Sequence, residues 1–216
     1  MPRKVPSRRA AGSPETRAAI LRAAEHIFAE HGLAGARTDA IAAAAGVNKA
    51  LIYYYFKSKD ALYLAIVEEH LKDFSERALA LLSGNEPVQD KLLHYVSMHF
   101  DFIAARPDYP RLLQRFMMAG ERPFLEIRRK YFAPVARKLQ AVIGQGTRSG
   151  ELCASDSAHT AISLVALTVF YFSAAPVLKV VGFQDPYGKA QLARRKEEVL
   201  NFIRRGLFKD CEAGSA

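Results

Sequence analysis

Apolar residues recur along this chain at a helical period almost throughout, with little of the strict alternation that marks strands. Ile20, Ala24, Ile27 and Phe28 make the packing stripe of a first helix, and EHGLAGART supplies a short connection after it. In the short helix that follows, Ile41 and Ala45 are four apart and share a face. Thr38 stands where it can cap that helix, and Gly46 ends it. A steep turn between two helices needs a left-handed residue, which glycine supplies without a Cβ penalty. Asn48 restarts the chain as the N-cap of a third helix. Ile52 and Phe56 fall on one face of it, with Val47 just before, and Lys49, Ala50, Tyr53, Tyr54 and Lys57 fall on the other. The first set packs and the second faces outward.

The same period continues. Leu62, Ile66, His70, Leu71, Phe74, Ala78 and Leu81 form one stripe over residues 58–82, which Ser83-Gly84-Asn85 ends. Pro87 suits the first turn of a helix reaching about residue 105, and residues 106–110 break the pattern before a short helix. Pro123 opens another, within which Pro134 predicts a kink or interruption, and Gly144, Gly146 and Gly150 mark a following loop. Residues 157–178 hold no Asp, Glu, Lys or Arg and are long enough to span a membrane. Ser163, Thr168, Ser173 and the helix-breaking Pro176 favour instead a helix buried between its own core and another subunit. Leu192, Val199, Leu200, Ile203 and Leu207 give a last helix, over about residues 189–208, its packing face. The fold class is all-α.

An outward face with two tyrosines, two lysines and a small alanine suits a groove lined by phosphates. Lysines neutralise phosphates, tyrosine hydroxyls donate to them, and Ala50 lets the backbone approach base edges or a thymine methyl. The bland alternative is an ordinary amphipathic helix pair around a glycine turn. The run GVNKALIYYYFKSKDALY closely resembles the DNA-binding domain of TetR-family transcriptional regulators, over roughly residues 15–70. Asn48 stands where that family more often has a serine cap, and Leu51 where a small or polar residue is frequent.

The resemblance implies a helix-turn-helix domain over residues 15–60 and a helical domain for ligand binding and dimerisation over 61–208. It places Thr38, Asn48, Lys49, Ala50, Tyr53, Tyr54, Lys57 and Lys59 at DNA. Tyr53 and Tyr54 would touch phosphates, and Lys59 would sit at a helix start beside the backbone. It further implies a homodimer through a four-helix arrangement, with Ala158, Ile162, Val165, Val169, Leu200 and Ile203 at the interface. A small-molecule inducer is implied as well. Met98, Phe102, Met117, Met118 and Phe124 offer an adaptable apolar lining for it, with His99, Arg128 and Tyr131 as polar anchors. For each of these residues taken alone, plain core is the stronger reading.

Composition narrows the alternatives. In 216 residues, 50% of them hydrophobic, there is material for a sizeable core, and 31 Lys and Arg against 22 Asp and Glu give a net charge of +9 that favours an anionic partner. Arg3, Lys4, Arg8 and Arg9 precede the first acidic residue among prolines and a glycine, so residues 1–14 read as a flexible basic arm and 209–216 as a flexible tail. Such an arm either tracks a minor groove beside the helix-turn-helix or is a solvated tail. No apolar segment of signal-peptide type follows the arginines, and Cys153 and Cys211 are far apart without a Cys-x-x-Cys spacing, so a reduced cytoplasmic protein is expected.

His94 and His99 are five apart, off the four-residue spacing that puts two imidazoles on one helix face, and His26, His31, His70 and His159 are isolated. No nucleophile elbow, phosphate-binding loop or dinucleotide fingerprint occurs, so no metal, cofactor or enzymatic activity is expected. The leading reading is a dimeric, ligand-responsive repressor bound to a palindromic operator and released by a small apolar molecule. The alternative is a basic helical architectural or RNA-associated protein without ligand gating. Sequence-specific binding to a palindrome separates them.

Overall fold

A computed structural model describes residues 13–153 and 155–209 of the chain. The basic residues of the N-terminal arm and Cys211 lie outside the described residues. Helices α1–α10 carry the regular structure among those described, with one isolated bridge between Leu152 and Phe208. They form two compact units. The first comprises residues 13–70 and 111–124, the second 71–110 and 125–209. The division therefore falls ten residues past the expected end of the helix-turn-helix domain, and a segment from the middle of the chain joins that domain.

In the first unit, α1 (Pro14–Gly35) begins where the arm was expected to continue. Ser13 caps it by accepting from the Thr16 amide, and Pro14 fits the first turn, where no backbone donor is needed. Ile20, Leu21, Ala24, Phe28 and Ala29 are buried at spacings of one helical face. Gly32, at φ 71° and ψ 174°, breaks the helix internally and turns the chain toward α2 (Thr38–Ala45). Arg37, not Thr38, is the N-cap of α2. Its carbonyl accepts from the Ala40 and Ile41 amides, so the helix starts one residue early and the Thr38 hydroxyl makes no capping bond.

Gly46 ends α2 at φ 67° and ψ 28°, in the left-handed region. Asn48 then caps α3 (Lys49–Phe56), its Oδ1 accepting from the Ala50 amide at 2.8 Å. Ile41 and Ile52 are completely buried and Phe56 nearly so, which makes them the hydrophobic centre of the helix-turn-helix. The Ser58 hydroxyl accepts from the Ala61 amide and starts α4 (Lys59–Leu82), whose first half belongs to this unit. The α6 helix (Tyr109–Met118) contributes Leu112 and Phe116, both fully buried.

The second unit contains the remainder of α4, then α5 (Val88–Ala104), most of α7 (Arg122–Ser149), α8 (Ser157–Ser173), α9 (Ala175–Val180) and α10 (Lys189–Leu207). Leu92, Val96 and Phe100 of α5 are buried together with Leu164 and Phe172 of α8 and Val199 and Ile203 of α10. The Phe100 and Phe172 rings meet at 5.0 Å, and Tyr187 stacks on Phe172 at 6.0 Å. Two expectations fail here. First, α7 is one continuous helix through Pro134 and on through Gly144 and Gly146, and only Gly150, at φ 83°, marks its end. Gly146 is a close-packing position, since a Cβ there would lie 2.7 Å from carbons of both Val88 and Leu152. Second, Pro87 is the N-cap of α5 and not a residue of its first turn.

The apolar run 157–178 is split at Ala174 into α8 and α9, with Pro176 in the first turn of α9. Among the described residues no helix is long and apolar enough to cross a membrane.

Candidate nucleic-acid interface

Burial of Ile52 and Phe56 orients α3. At about 100° per residue, fixing those two positions inward turns Lys49, Ala50, Tyr53 and Tyr54 outward, and all four are exposed, as are Asn48 and Lys57. Lys49 pairs with Asp39 of α2 at 3.0 Å across the turn. Both side chains are exposed, so the pair is weak and a phosphate can compete for the ammonium. The Tyr53 hydroxyl lies 3.5 Å from that of half-buried Thr38, which places the two hydroxyls on one edge of the helix pair. Tyr55, between the exposed tyrosines and the core, points back to α1 and donates to the Ser13 carbonyl at 3.0 Å.

Lys57 is the only non-glycine at positive φ among the described residues, at 63°. It ends α3 as its C-cap, and its ammonium reaches the Tyr54 carbonyl at 3.3 Å and lies 6.0 Å from the Tyr54 ring. Lys59 is placed differently from the rest. Its Nζ donates to the carbonyls of Ala34 at 3.2 Å and Ala36 at 3.1 Å, holding the α1–α2 connection from the start of α4. Arg37, exposed at the N-terminus of α2, is a further cation beside this surface that the apolar pattern gave no reason to single out.

The expected ligand-binding residues are divided between the two units. Met98 and Phe102 border a surface groove of about 380 Å³ in the second unit, together with Arg77, His94, Asp101 and Arg106. His99 points away from that groove. It is 5% exposed, sits 4.7 Å from the Phe74 ring and hydrogen-bonds the Thr168 hydroxyl at 2.9 Å. Since that hydroxyl donates to the Val165 carbonyl at 2.8 Å, it accepts from Nδ1–H of a neutral imidazole, whose pKa burial pushes down to about 4. Met117, Met118 and Phe124 belong to the first unit, whereas half-buried Arg128 and buried Tyr131 lie on α7 in the second. Met118 is 83% exposed, because Phe116 takes the inward position and the next two residues rotate out toward water.

Of the expected interface residues, Ile162 is 66% exposed, and Ala158, Val165, Val169 and Leu200 are half-buried. Ile203 is 3% exposed and belongs, with Val199 and Leu207, to the core stripe of α10. Two aromatic residues that the pattern did not put at an interface are bare: Phe170 at 70% and Phe202 at 66% exposure. On α8 the exposed positions His159, Ile162, Ser163, Ala166, Phe170 and Ser173 fall at helical three- and four-residue steps on one helix face.

The family model for bacterial regulatory proteins of the tetR family matches residues 20–66, and that for a tetracyclin repressor-like C-terminal domain matches residues 87–203. An HTH-type transcriptional repressor of Streptomyces coelicolor is 41% identical over 105 residues, 48% of this chain, which thus spans about half (51%) of that relative's length. The HTH-type transcriptional regulator RutR of Escherichia coli is 29% identical over 163 residues, 76% of each chain. Among solved structures, the transcriptional regulator FadR of Bacillus subtilis in complex with stearoyl-CoA superposes with a TM-score of 0.68 at 20% identity, covering 86% of this chain and 96% of that one. AibR in complex with isovaleryl coenzyme A and operator DNA superposes with a TM-score of 0.71 at 16% identity, over 87% and 97%. At those identities the structures speak for the fold. With both of its units matched by the family's models, the chain belongs to the TetR family of bacterial transcriptional regulators.

Proposed function

We propose that this regulator works as a homodimeric repressor that binds a palindromic operator through the outward face of α3 and leaves it when a small, largely apolar molecule binds. The observation that carries the DNA-binding part is the two-sided character of α3. Ile52 and Phe56 are sunk in the core, while Lys49, Ala50, Tyr53, Tyr54 and Lys57 are exposed to solvent. Exposed tyrosines and lysines on a short helix after a left-handed glycine turn serve phosphates, and Ala50 permits close approach to base edges. Homodimerisation is supported by the bare Ile162–Phe170 face of α8 together with Phe202, apolar surface that a second copy would cover. Two-fold symmetry of the protein is then mirrored in the operator. A protein that acts at an operator belongs in the cytoplasm, in keeping with two cysteines that are far apart in sequence and without a Cys-x-x-Cys spacing.

Two proteins of the same fold suggest a ligand class to test. FadR of Bacillus subtilis is complexed with stearoyl-CoA and AibR with isovaleryl coenzyme A, so acyl-CoA thioesters, in which an apolar acyl chain is joined to a polar, anionic nucleotide, are compounds to try beside simple apolar molecules. A ligand shifts the population only if it prefers the conformation that does not bind DNA. The test is to capture genomic fragments on the purified protein, sequence them, and titrate the enriched fragment by fluorescence anisotropy with and without acyl-CoAs of graded chain length. Enrichment of a palindrome and release by one chain-length class are expected. Retention of all fragments alike would favour a non-specific basic protein, and a specific complex indifferent to every acyl-CoA would refute this ligand class.

A further inference from the structure

Residues 111–124 are remote in sequence from the helix-turn-helix yet belong to its compact unit, and the fastenings between them are specific. The buried Tyr63 hydroxyl of α4 donates to the Leu112 carbonyl at 2.8 Å. The Tyr63 ring meets Phe28 edge-on at 5.4 Å and Phe124 at 6.2 Å, and Phe124 meets Phe116 at 5.7 Å. These contacts anchor α6. One further contact reaches past the anchor: Nη1 of Arg115 donates to the Phe28 carbonyl at 2.6 Å, near the end of the straight part of α1. A cation there meets the partial negative charge of a helix C-terminus.

The chain makes room for that guanidinium. Gly32 has φ 71°, and a Cβ on it would lie 2.8 Å from the same Nη1. A side chain at residue 32 would therefore be strained by its own backbone and would collide with Arg115. The connection that follows is gripped again by Lys59 at the Ala34 and Ala36 carbonyls. Two cations thus hold residues 28–36, one from α4 and one from α6. This stretch decides how α1 hands over to α2, and α2 carries α3 beyond Gly46.

We propose that Arg115 is a positioning residue for operator binding: through the Phe28 carbonyl and the slot at Gly32 it fixes the α1–α2 connection, and with it the presentation of α3. The proposal rests on the reading of α3 as the operator-binding helix. Arg115 itself touches no DNA in this scheme, so its loss lowers discrimination and spares the electrostatic attraction that all DNA shares.

The test uses the full-length protein and its Arg115→Ala, Arg115→Lys and Gly32→Ala variants. It reads affinity for the enriched operator, affinity for random duplex, and amide hydrogen exchange at Ala36 and Ile41. For Arg115→Ala the operator affinity is expected to fall about tenfold, the scale of one charge-assisted hydrogen bond, with random-DNA affinity unchanged and faster exchange at both amides. Gly32→Ala evicts the guanidinium and is expected to do the same, while Arg115→Lys keeps a charged donor and recovers part of the loss. A wild-type operator-to-random ratio together with wild-type exchange in Arg115→Ala would overturn the proposal, as would equal losses on both DNAs. If Arg115→Ala does not fold, Arg115→Lys and Gly32→Ala decide by the same ratio and the same amides. A wild-type protein that prefers no DNA sequence would instead contradict the operator reading, and exchange at Ala36, which needs no DNA, would still report whether Arg115 holds the connection.

Discussion

Lys49 and His99 show how differently a polar side chain acts in water and in the core. Lys49 is exposed, and its partner Asp39 is equally exposed, so the ammonium can move to a phosphate at little cost. Lys49→Ala should weaken binding to every DNA sequence and reduce the slope of log affinity against log salt by about one. An unchanged slope in a folded variant would remove Lys49 from the backbone contacts. His99 is buried and neutral, with a pKa held at about 4. Between that value and the ordinary histidine value near 6.5, the unfolded chain binds a proton that the folded chain refuses. The sign follows: stability contributed by neutral His99 is intact above about pH 6.5 and is lost progressively as pH falls toward 4, by up to about 3 kcal/mol. His99→Leu, which leaves the Thr168 hydroxyl bonded to the Val165 carbonyl, should flatten this part of the stability profile in urea titrations run from pH 4 to pH 7.

The elements differ in how much of them sequence alone discloses. Gly46, Asn48 and the Ile52/Phe56 pair announce the helix-turn-helix because local chemistry dictates it: a left-handed turn, a side-chain cap and a four-residue apolar step. The start of α2 was misplaced by one residue because Thr38 is a good capping type, yet the backbone reaches its extended capping conformation at Arg37. The continuity of α7 through Pro134, Gly144 and Gly146 was not legible, since tertiary packing overrides helix-breaking preference and Gly146 is needed small by Val88 and Leu152. The grips of Lys59 and Arg115 on the α1–α2 connection were invisible for a simpler reason, as they depend on which backbone carbonyls long-range folding brings near. A side chain at Gly46 would strain its left-handed turn by about 1–2 kcal/mol. Gly46→Val should thus lower operator affinity and the midpoint of thermal unfolding together, and wild-type values for both would show that the turn tolerates a β-branched residue.

Across the whole chain, the fold class, the helix-turn-helix and the family were legible in the sequence, whereas which methionines and aromatics pack inside and which face water was not, because these residue types look alike in core, pocket and solvent. Phe116 and Met118 are neighbours in type and position, yet one is fully buried and the other 83% exposed. The exposed faces of the last helices were half legible: the charge-free run over 157–178 pointed to α8, but buried Ile203 and bare Phe170 and Phe202 could be told apart only once the helices were packed. Ile162→Glu and Phe170→Glu should each yield monomers by light scattering and abolish operator binding without unfolding either unit, since a monomer holds only one half-site. A monomeric wild-type protein at micromolar concentration would contradict the dimer.

In the proposed function the outward face of α3 reads a specific, two-fold symmetric DNA sequence. The decisive measurement is selection of binding sites from a random-sequence duplex pool, run in parallel with wild type and Ala50→Leu at a fixed salt concentration. The expected result is a palindromic consensus for wild type, and for Ala50→Leu a loss of that enrichment with random-DNA affinity retained. No enrichment by the wild-type protein, or the same consensus at the same strength from Ala50→Leu, would contradict it.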